Sequence, residues 1–197
     1  MKRRSFVAGA GAWAAAGWLG AGAARAWAAA SETRYDLIVI GAGTAGIPAA
    51  IFAAARGARV LMLDAANDIG GTLHLSTGQM SAAGTKLQAT LGIVDSASAH
   101  FDDVMRISKG TADPELVRLA VDNAATTFDW LMDHGFKPLP DHPVLGLGHE
   151  PYSHKRYYWG AEGGRTILAV LRRELQPWVD QGRVDVSLST PVTALLT

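Results

Sequence analysis

The 197-residue chain contains no cysteine. That absence removes disulfides, thiolate zinc sites, cysteine-ligated iron–sulfur clusters, attached c-type haem and thiol nucleophiles from consideration. Net charge is absent too: 18 basic residues balance 18 acidic ones, so no overall field draws nucleic acid or an acidic partner. No acidic residue occurs before Glu32, no internal repeat is found, and no segment after residue 30 is long and apolar enough to span a bilayer. What is present fits a globular chain: 49% hydrophobic and 18% charged residues, enough for one sizeable core or a domain with an insertion.

The first thirty residues form a separate object. Lys2, Arg3 and Arg4 precede an uncharged stretch from Ser5 to Ala24, and Ala24-Arg25-Ala26 and Ala26-Trp27-Ala28 both offer small-x-small cleavage patterns. Arg3-Arg4-Ser5-Phe6-Val7 resembles a twin-arginine signal, and the Ala/Gly-rich, mildly apolar run behind it suits that route. The expectation is a leader over residues 1–28, handled by the twin-arginine export machinery, and a periplasmic or otherwise exported mature chain. The alternative is an N-terminal membrane anchor, since the run approaches spanning length. Removing residues 1–30 takes away four basic residues, which leaves fourteen against eighteen acidic ones and a net charge of −4.

Tyr35-Asp36-Leu37-Ile38-Val39-Ile40 is a short apolar run ending in glycine, and it predicts a strand buried on both faces. The Ala-rich residues 44–56 predict a helix with Pro48 in its first turn and Gly57 at its end. Arg59-Val60-Leu61-Met62-Leu63-Asp64 predicts a second strand, so the segment is a βαβ unit with a parallel sheet. A Gly/Ser/Thr-rich loop follows from Ala65 to Asp95, with a short helix expected near residues 78–83; a loop this long is usually functional. Helices are expected over residues 98–108 and from Asp113-Pro114 to Gly135, the latter with Leu116, Ala120, Ala124, Phe128 and Leu131 as its buried stripe. Residues 136–164, rich in Pro and Gly, predict an irregular lid. Residues 165–181 predict a helix bent or broken at Pro177, and residues 184–188 and 192–196 two further strands.

Gly41, Gly43 and Gly46 form G-x-G-x-x-G between the first strand and helix, in the turn Gly41-Ala42-Gly43-Thr44-Ala45-Gly46. Gly41 permits the tight turn, Gly43 lets the backbone approach a pyrophosphate, and Gly46 lets helix pack on strand. The helix N-terminus offers free N–H groups and a positive dipole end to the phosphates. Asp64 ends the second strand 23 residues after Gly41, near the spacing of about 20 expected for the acid that binds ribose hydroxyls. An acid there favours FAD or NAD over NADP; the bland alternative is a solvated strand-end carboxylate.

The next stretch, from Ile69-Gly70-Gly71-Thr72-Leu73-His74 through Ser76-Thr77-Gly78-Gln79-Met80-Ser81-Ala82-Ala83, resembles the succinate dehydrogenase/fumarate reductase flavoprotein family. The resemblance extends over Tyr35–Thr197 and is specific in residues 36–84. It implies FAD. Ala45 and Asp64 would contact its ADP part, Gly70 and Gly71 would allow close backbone approach, and Thr72, Thr77 and Gly78 would lie along pyrophosphate and isoalloxazine. Val192 would touch the adenine. Membrane-complex members carry a flavin-linking histidine where this chain has Thr72, with His74 two residues on, so non-covalent FAD is implied. Gln79 stands where soluble members usually have glycine; its amide either reaches flavin or substrate or bonds loop backbone.

Other groups have plainer readings. His142, His149 and His154 follow no metal template, so no metal is expected. In Lys155-Arg156-Tyr157-Tyr158-Trp159-Gly160 a tyrosine acid and an arginine for a carboxylate stand against aromatic packing of a lid, which is preferred. Asp102-Asp103 and Arg172-Arg173 read as solvated helix faces.

The expected architecture is α/β: a Rossmann-like FAD-binding domain with a parallel sheet, interrupted by a mostly helical insertion and incomplete at its C-terminal side. Residues 29–96 and 165–197 form the domain and residues 97–164 the insertion. The resemblance implies an oxidoreductase moving hydride between flavin and a small organic substrate, in the manner of fumarate reduction, with a separate electron donor or acceptor. A 3-ketosteroid dehydrogenase-like desaturase and a non-catalytic flavin-binding fragment are the alternatives. The family's catalytic residues would lie further along than Thr197.

Overall fold

The computed structural model describes residues 34–146 and 149–195. The leader expected over residues 1–28 lies outside them. Strand β1 (Leu37–Ile40), helix α1 (Gly46–Ala55) and strand β2 (Val60–Leu63) form the expected βαβ unit, with Leu37 opposite Val60 and Ile40 opposite Leu63 in parallel register. Strand β5 (Val184–Ser187) pairs with the other side of β2, so the parallel sheet runs β1-β2-β5. Helix α5 (Gly164–Asp180), which leads into β5, packs on α1. Small residues make that layer possible: Ala50 and Ala54 are buried beside Ile47 and Ile51, against Val39, Val60, Met62 and Val184 of the sheet.

Among the described residues the Ile38 and Ile40 side of β1 is open. Ile38 and Ile40 are 56% and 55% exposed, which corrects the expectation of a strand buried on both faces. The cause is topological: β1 is an edge strand, and α1 and α5 share one hydrophobic core with the Val39 side. Among the described residues the outward side chains of β1 therefore meet no second layer.

Residues 65–163 depart most from the sequence reading. The segment expected as a helix near residues 78–83 is strand β3 (Met80–Ser81), paired antiparallel with β4 (Tyr157–Tyr158). Pairing of Met80 with Tyr158 and Ser81 with Tyr157, far along the chain, overrides local propensity, and Gly78 just before it has φ 64°. A 3-10 turn (Gly71–His74) and helix α2 (Lys86–Thr90) also fall in the expected loop. A reciprocal cap starts α2: the Thr85 hydroxyl accepts from Gln88 N–H while the Gln88 side chain accepts from Thr85 N–H.

Helices α3 (Ala97–Ser108) and α4 (Pro114–Asp133) lie close to where periodicity put them. Asp113 caps α4 through Glu115 N–H and Leu116 N–H, and Pro114 occupies its first position. The buried stripe begins only at Val121: Phe128 and Leu131 are inside, whereas Leu116 and Ala120 are exposed because the first turns of α4 run past the core. Helix α5 continues through Pro177 without a break. Proline there forgoes one bond to the Arg173 carbonyl, and the helix ends three residues later, so little is lost. The strand expected over 192–196 does not form among the described residues. Ser189 adopts φ 52° and Pro191 lacks an N–H, which ends the ladder at Ser187. No helix among the described residues is long and apolar enough to cross a membrane.

Candidate cofactor site

The chain turns out of β1 at Gly41, whose φ of 101° suits glycine and whose N–H bonds the Leu63 carbonyl at 2.8 Å. A Cβ on Gly46 would stand 1.8 Å from the Gly41 carbonyl oxygen, so the helix start accepts no side chain there. A Cβ on Gly43 would meet nothing within 4 Å; the backbone is bare on that side and open to close approach. Among the described residues, the N–H groups of Gly43, Thr44, Ala45 and Gly46 have no protein acceptor. Ala45 offers no capping side chain, and the first turn of α1 has no acid. Free donors and an uncompensated positive dipole end are what a pyrophosphate requires.

Asp64 is tied to this turn. Its carboxylate accepts from Ala66 N–H at 2.8 Å and from Ala42 N–H at 2.6 Å. Those two bonds, Ala66 first, hold its carboxyl below the usual carboxylate range. The end of β2 is thereby fastened to the glycine turn by a charged group, which a merely solvated strand end would not do. The Gly70 N–H reaches the Ala42 carbonyl at 2.7 Å, and a Cβ on Gly71 would lie 3.4 Å from Gly43 Cα. Two glycine segments far apart in sequence thus meet backbone to backbone. Thr190 N–H bonds the Asp64 carbonyl; Val192, two residues on, is partly exposed and stands outside the cleft described next.

That cleft has a volume of about 910 Å³. Thr44, Thr72, Thr77 and Gly78 line it together with Gln79 and Met80, the side of α1 (Pro48, Phe52) and one face of α4. The α4 contribution was missed in the sequence. Asn123, Thr126, Thr127 and Trp130 recur at i, i+3, i+4 and i+7, a single helical face whose polar and aromatic mixture was the available signal. The loop is braced from beneath: Gly164 N–H bonds the Ser76 carbonyl at 2.9 Å, and a Cβ on Gly78 would lie 2.6 Å from Gly164 N. Thr72 faces the cleft. His74 does not; its Nε2 lies 2.9 Å from the Ile69 carbonyl and 3.6 Å from Asp68.

Arg156 is not available to a substrate carboxylate. It is fully buried, with Nε and Nη2 donating to both oxygens of Asp95 at 2.7 and 2.8 Å and Nη1 donating to Asp103. Asp103 is correspondingly buried rather than solvated, and the neighbouring Arg106, Ser153 and Arg156 hold its carboxyl well below the usual range despite burial. Arg172 and Arg173 stay on a solvated helix face as expected, with Arg172 also donating to Asp68 and to the Ile69 carbonyl. Tyr158 is buried with its hydroxyl 2.9 Å from Thr85 Oγ1, and burial pushes it up to about 12. The lid tyrosines therefore pack and brace, Tyr158 stacking on Phe128 at 3.9 Å. The three lid histidines do not converge: His142 packs on Trp159, His149 beside Tyr157, and His154 beside Ser153.

A bare glycine turn at a helix start, an acid at the end of the next parallel strand and a cleft opening beside them define an α/β dinucleotide-binding domain. Comparison with known proteins names the family. The sequence profile described as "FAD binding domain" matches residues 36–197, and the chain belongs to that family. It is 32% identical over 167 residues to an NADH:fumarate oxidoreductase of Klebsiella pneumoniae, covering 85% of this chain and 17% of that protein. It is 34% identical over 146 residues to a fumarate reductase (cytochrome) of Shewanella frigidimarina, covering 74% of this chain and 25% of that one. The structure of the open conformation of a flavocytochrome c3 fumarate reductase superposes with a TM-score of 0.68 at 27% identity, over 95% of this chain and 31% of that chain. The chain thus spans a third or less of the length of these relatives.

Proposed function

We propose that the protein is an FAD-dependent oxidoreductase that reduces an activated C=C bond of a small organic substrate, in the manner of the fumarate reductases it resembles. The carrying observation is the open row of N–H donors at the start of α1, next to a cleft lined by the Thr72–Met80 loop. In this reading the Gly41–Gly46 turn, with Thr44 and Ala45, takes the pyrophosphate. Asp64 keeps an acceptor for the ribose, and Val192 flanks the adenine. Gly70 and Gly71 give the cofactor its close approach, and Thr72, Thr77 and Gly78 border the ring system. When bound, FAD supplies hydride transfer. The chain's own residues orient it and shield one side of the cleft. These 197 residues have no cysteine and so hold no thiolate-bound cluster of their own, and the proposal includes an electron donor or acceptor outside them.

Attachment is proposed as non-covalent. Thr72 faces the cleft where a linking group would be needed, and the His74 ring is held at the Ile69 carbonyl on the other side of the loop. The test is direct. Purified protein should be yellow, and acid precipitation should leave the flavin in the supernatant. Flavin retained in the pellet overturns non-covalent binding; NAD in place of flavin overturns the cofactor reading. Turnover of fumarate or another α,β-unsaturated acid with a reduced dye checks the substrate class.

A further inference from the structure

Gln79 sits between two fixed residues. Gly78 before it is pressed on the start of α5, and Met80 after it pairs with Tyr158 in the β3–β4 ribbon. Its backbone position is therefore set, and only its side chain is free. That side chain lines the cleft, and among the described residues it makes no hydrogen bond to protein. The reading of Gln79 as a loop amide bonded to backbone is thus not what the structure contains. Two other nitrogen-bearing side chains of the cleft are held by protein: Asn123, the other carboxamide there, donates to the Leu119 carbonyl at 2.8 Å, and Arg56 donates through Nη1 to the Phe52 carbonyl at 2.8 Å. Among the described residues no carboxylate lines the cleft, so no charged acceptor competes for the Gln79 amide.

A ring system filling this cleft would strip water from the Gln79 amide. An amide left unpaired in a dry site is destabilising, so the bound state favours the pose in which it meets a polar ring atom. Resting on the FAD reading above, we infer that the Gln79 side-chain amide donates a hydrogen bond to the polar edge of the bound flavin and so tunes its reduction potential. The reasoning for direction is electrostatic. Two-electron reduction places extra electron density on the nitrogens and oxygens of the flavin's polar edge. A donor aimed there binds the reduced form better than the oxidised form and raises the potential.

The test uses the FAD-loaded protein with Gln79→Gly, Gln79→Leu and Gln79→Glu, read by spectroelectrochemical titration. Gln79 is exposed, with no φ in the left-handed region, so all three variants are compatible with the fold; melting curves check this. Removing the donor in Gln79→Leu and Gln79→Gly should weaken the preference for reduced flavin about tenfold, a fall of about 30 mV for a two-electron couple. Gln79→Glu, which replaces the donor by a negative charge, should fall further and shift the visible flavin bands. Potentials and spectra equal to wild type in all three overturn the inference, including the case where only the KM for substrate changes. The two levels separate cleanly: wild-type protein that binds no FAD removes the cofactor reading itself, whereas wild-type protein that binds FAD with insensitive variants removes only the role of Gln79.

Discussion

The glycine turn at residues 41–46 and the buried cluster around Arg156 are opposite solutions to placing polar groups inside a protein. The turn is made of missing side chains. Its donors are backbone N–H groups left without acceptors, and its one charged partner, Asp64, acts through the backbone of Ala42 and Ala66. The cluster is all side chain. Arg156 uses Nε, Nη1 and Nη2 on Asp95 and Asp103, and Gln88 adds a bond to Asp95 at 3.0 Å. The first region is unfinished and faces outward, so it is a site. The second is closed on itself, so it is scaffold, although an arginine among tyrosines and histidines looks richer in chemistry. Unsatisfied donors, more than reactive residue types, mark where a ligand belongs.

The largest expected effect follows from that closure. Arg156→Ala leaves Asp95 and Asp103 buried without their cation, and breaking a buried pair in this way costs about 3–5 kcal/mol. Urea or thermal unfolding should register most of that loss, with Asp95→Asn smaller in the same direction. A variant that keeps wild-type stability but loses affinity for a carboxylate substrate would break the comparison and make Arg156 a site residue.

Asp64 should behave in the converse way. Asp64→Ala loses the charge-assisted bond expected to the ribose, about 1.5–3 kcal/mol, so FAD affinity should drop roughly ten- to a hundredfold. Asp64→Glu should be milder and Asp64→Asn intermediate. Asp68, whose carboxylate instead meets Arg172 at 2.6 Å on the surface, is the control: Asp68→Ala should leave FAD affinity unchanged. Flavin titration of the apoprotein measures all four. Wild-type affinity in Asp64→Ala would reduce the acid to a brace between β2 and the turn.

The same contrast explains what the sequence could tell. The turn was legible because its parts are local: strand, glycines, helix and Asp64 fall within 30 residues, and each glycine has a steric reason. The cluster was not legible, because Arg156 lies 61 and 53 residues from its partners and nothing in Asp102-Asp103 separates the exposed acid from the buried one. Strand β3 was lost for the same reason, its partner being Tyr157–Tyr158 in a segment that reads as lid. The exposure of Ile38 and Ile40 was hidden for another. An apolar strand announces that it needs two covered faces, not whether this chain supplies both.

Taken per pH unit the smallest effect lies in titration, and it sharpens the comparison because it should act on one region only. His100 on α3 is buried, with Nε2 3.0 Å from Ser81 Oγ and no partner for Nδ1. Burial first, and then the positive charge of Arg156, push it down to about 4, against the opposing pull of Asp95 and Asp103. The ordinary value is about 6.5. A histidine depressed on folding stays neutral in the native state while the unfolded chain takes up a proton. Stability is therefore complete above pH 6.5 and is lost as pH falls from about 6.5 to about 4. One proton gives at most about 1.4 kcal/mol per pH unit. His142 is also lowered by burial and adds to the same window, so the decisive measurement is a difference. His100→Gln, which can still bond Ser81, should flatten part of the acid-side slope in urea unfolding between pH 6.5 and 4.5. Asp64 is lowered as well, but in a carboxyl that shift favours the charged form, so Asp64 stays charged above the ordinary carboxylate value of about 3.9. FAD affinity of the folded protein should then be level across the window in which stability falls. An identical slope in His100→Gln would remove His100 from the account. A parallel fall of FAD affinity in wild type would mean that the two regions are coupled and do not titrate independently.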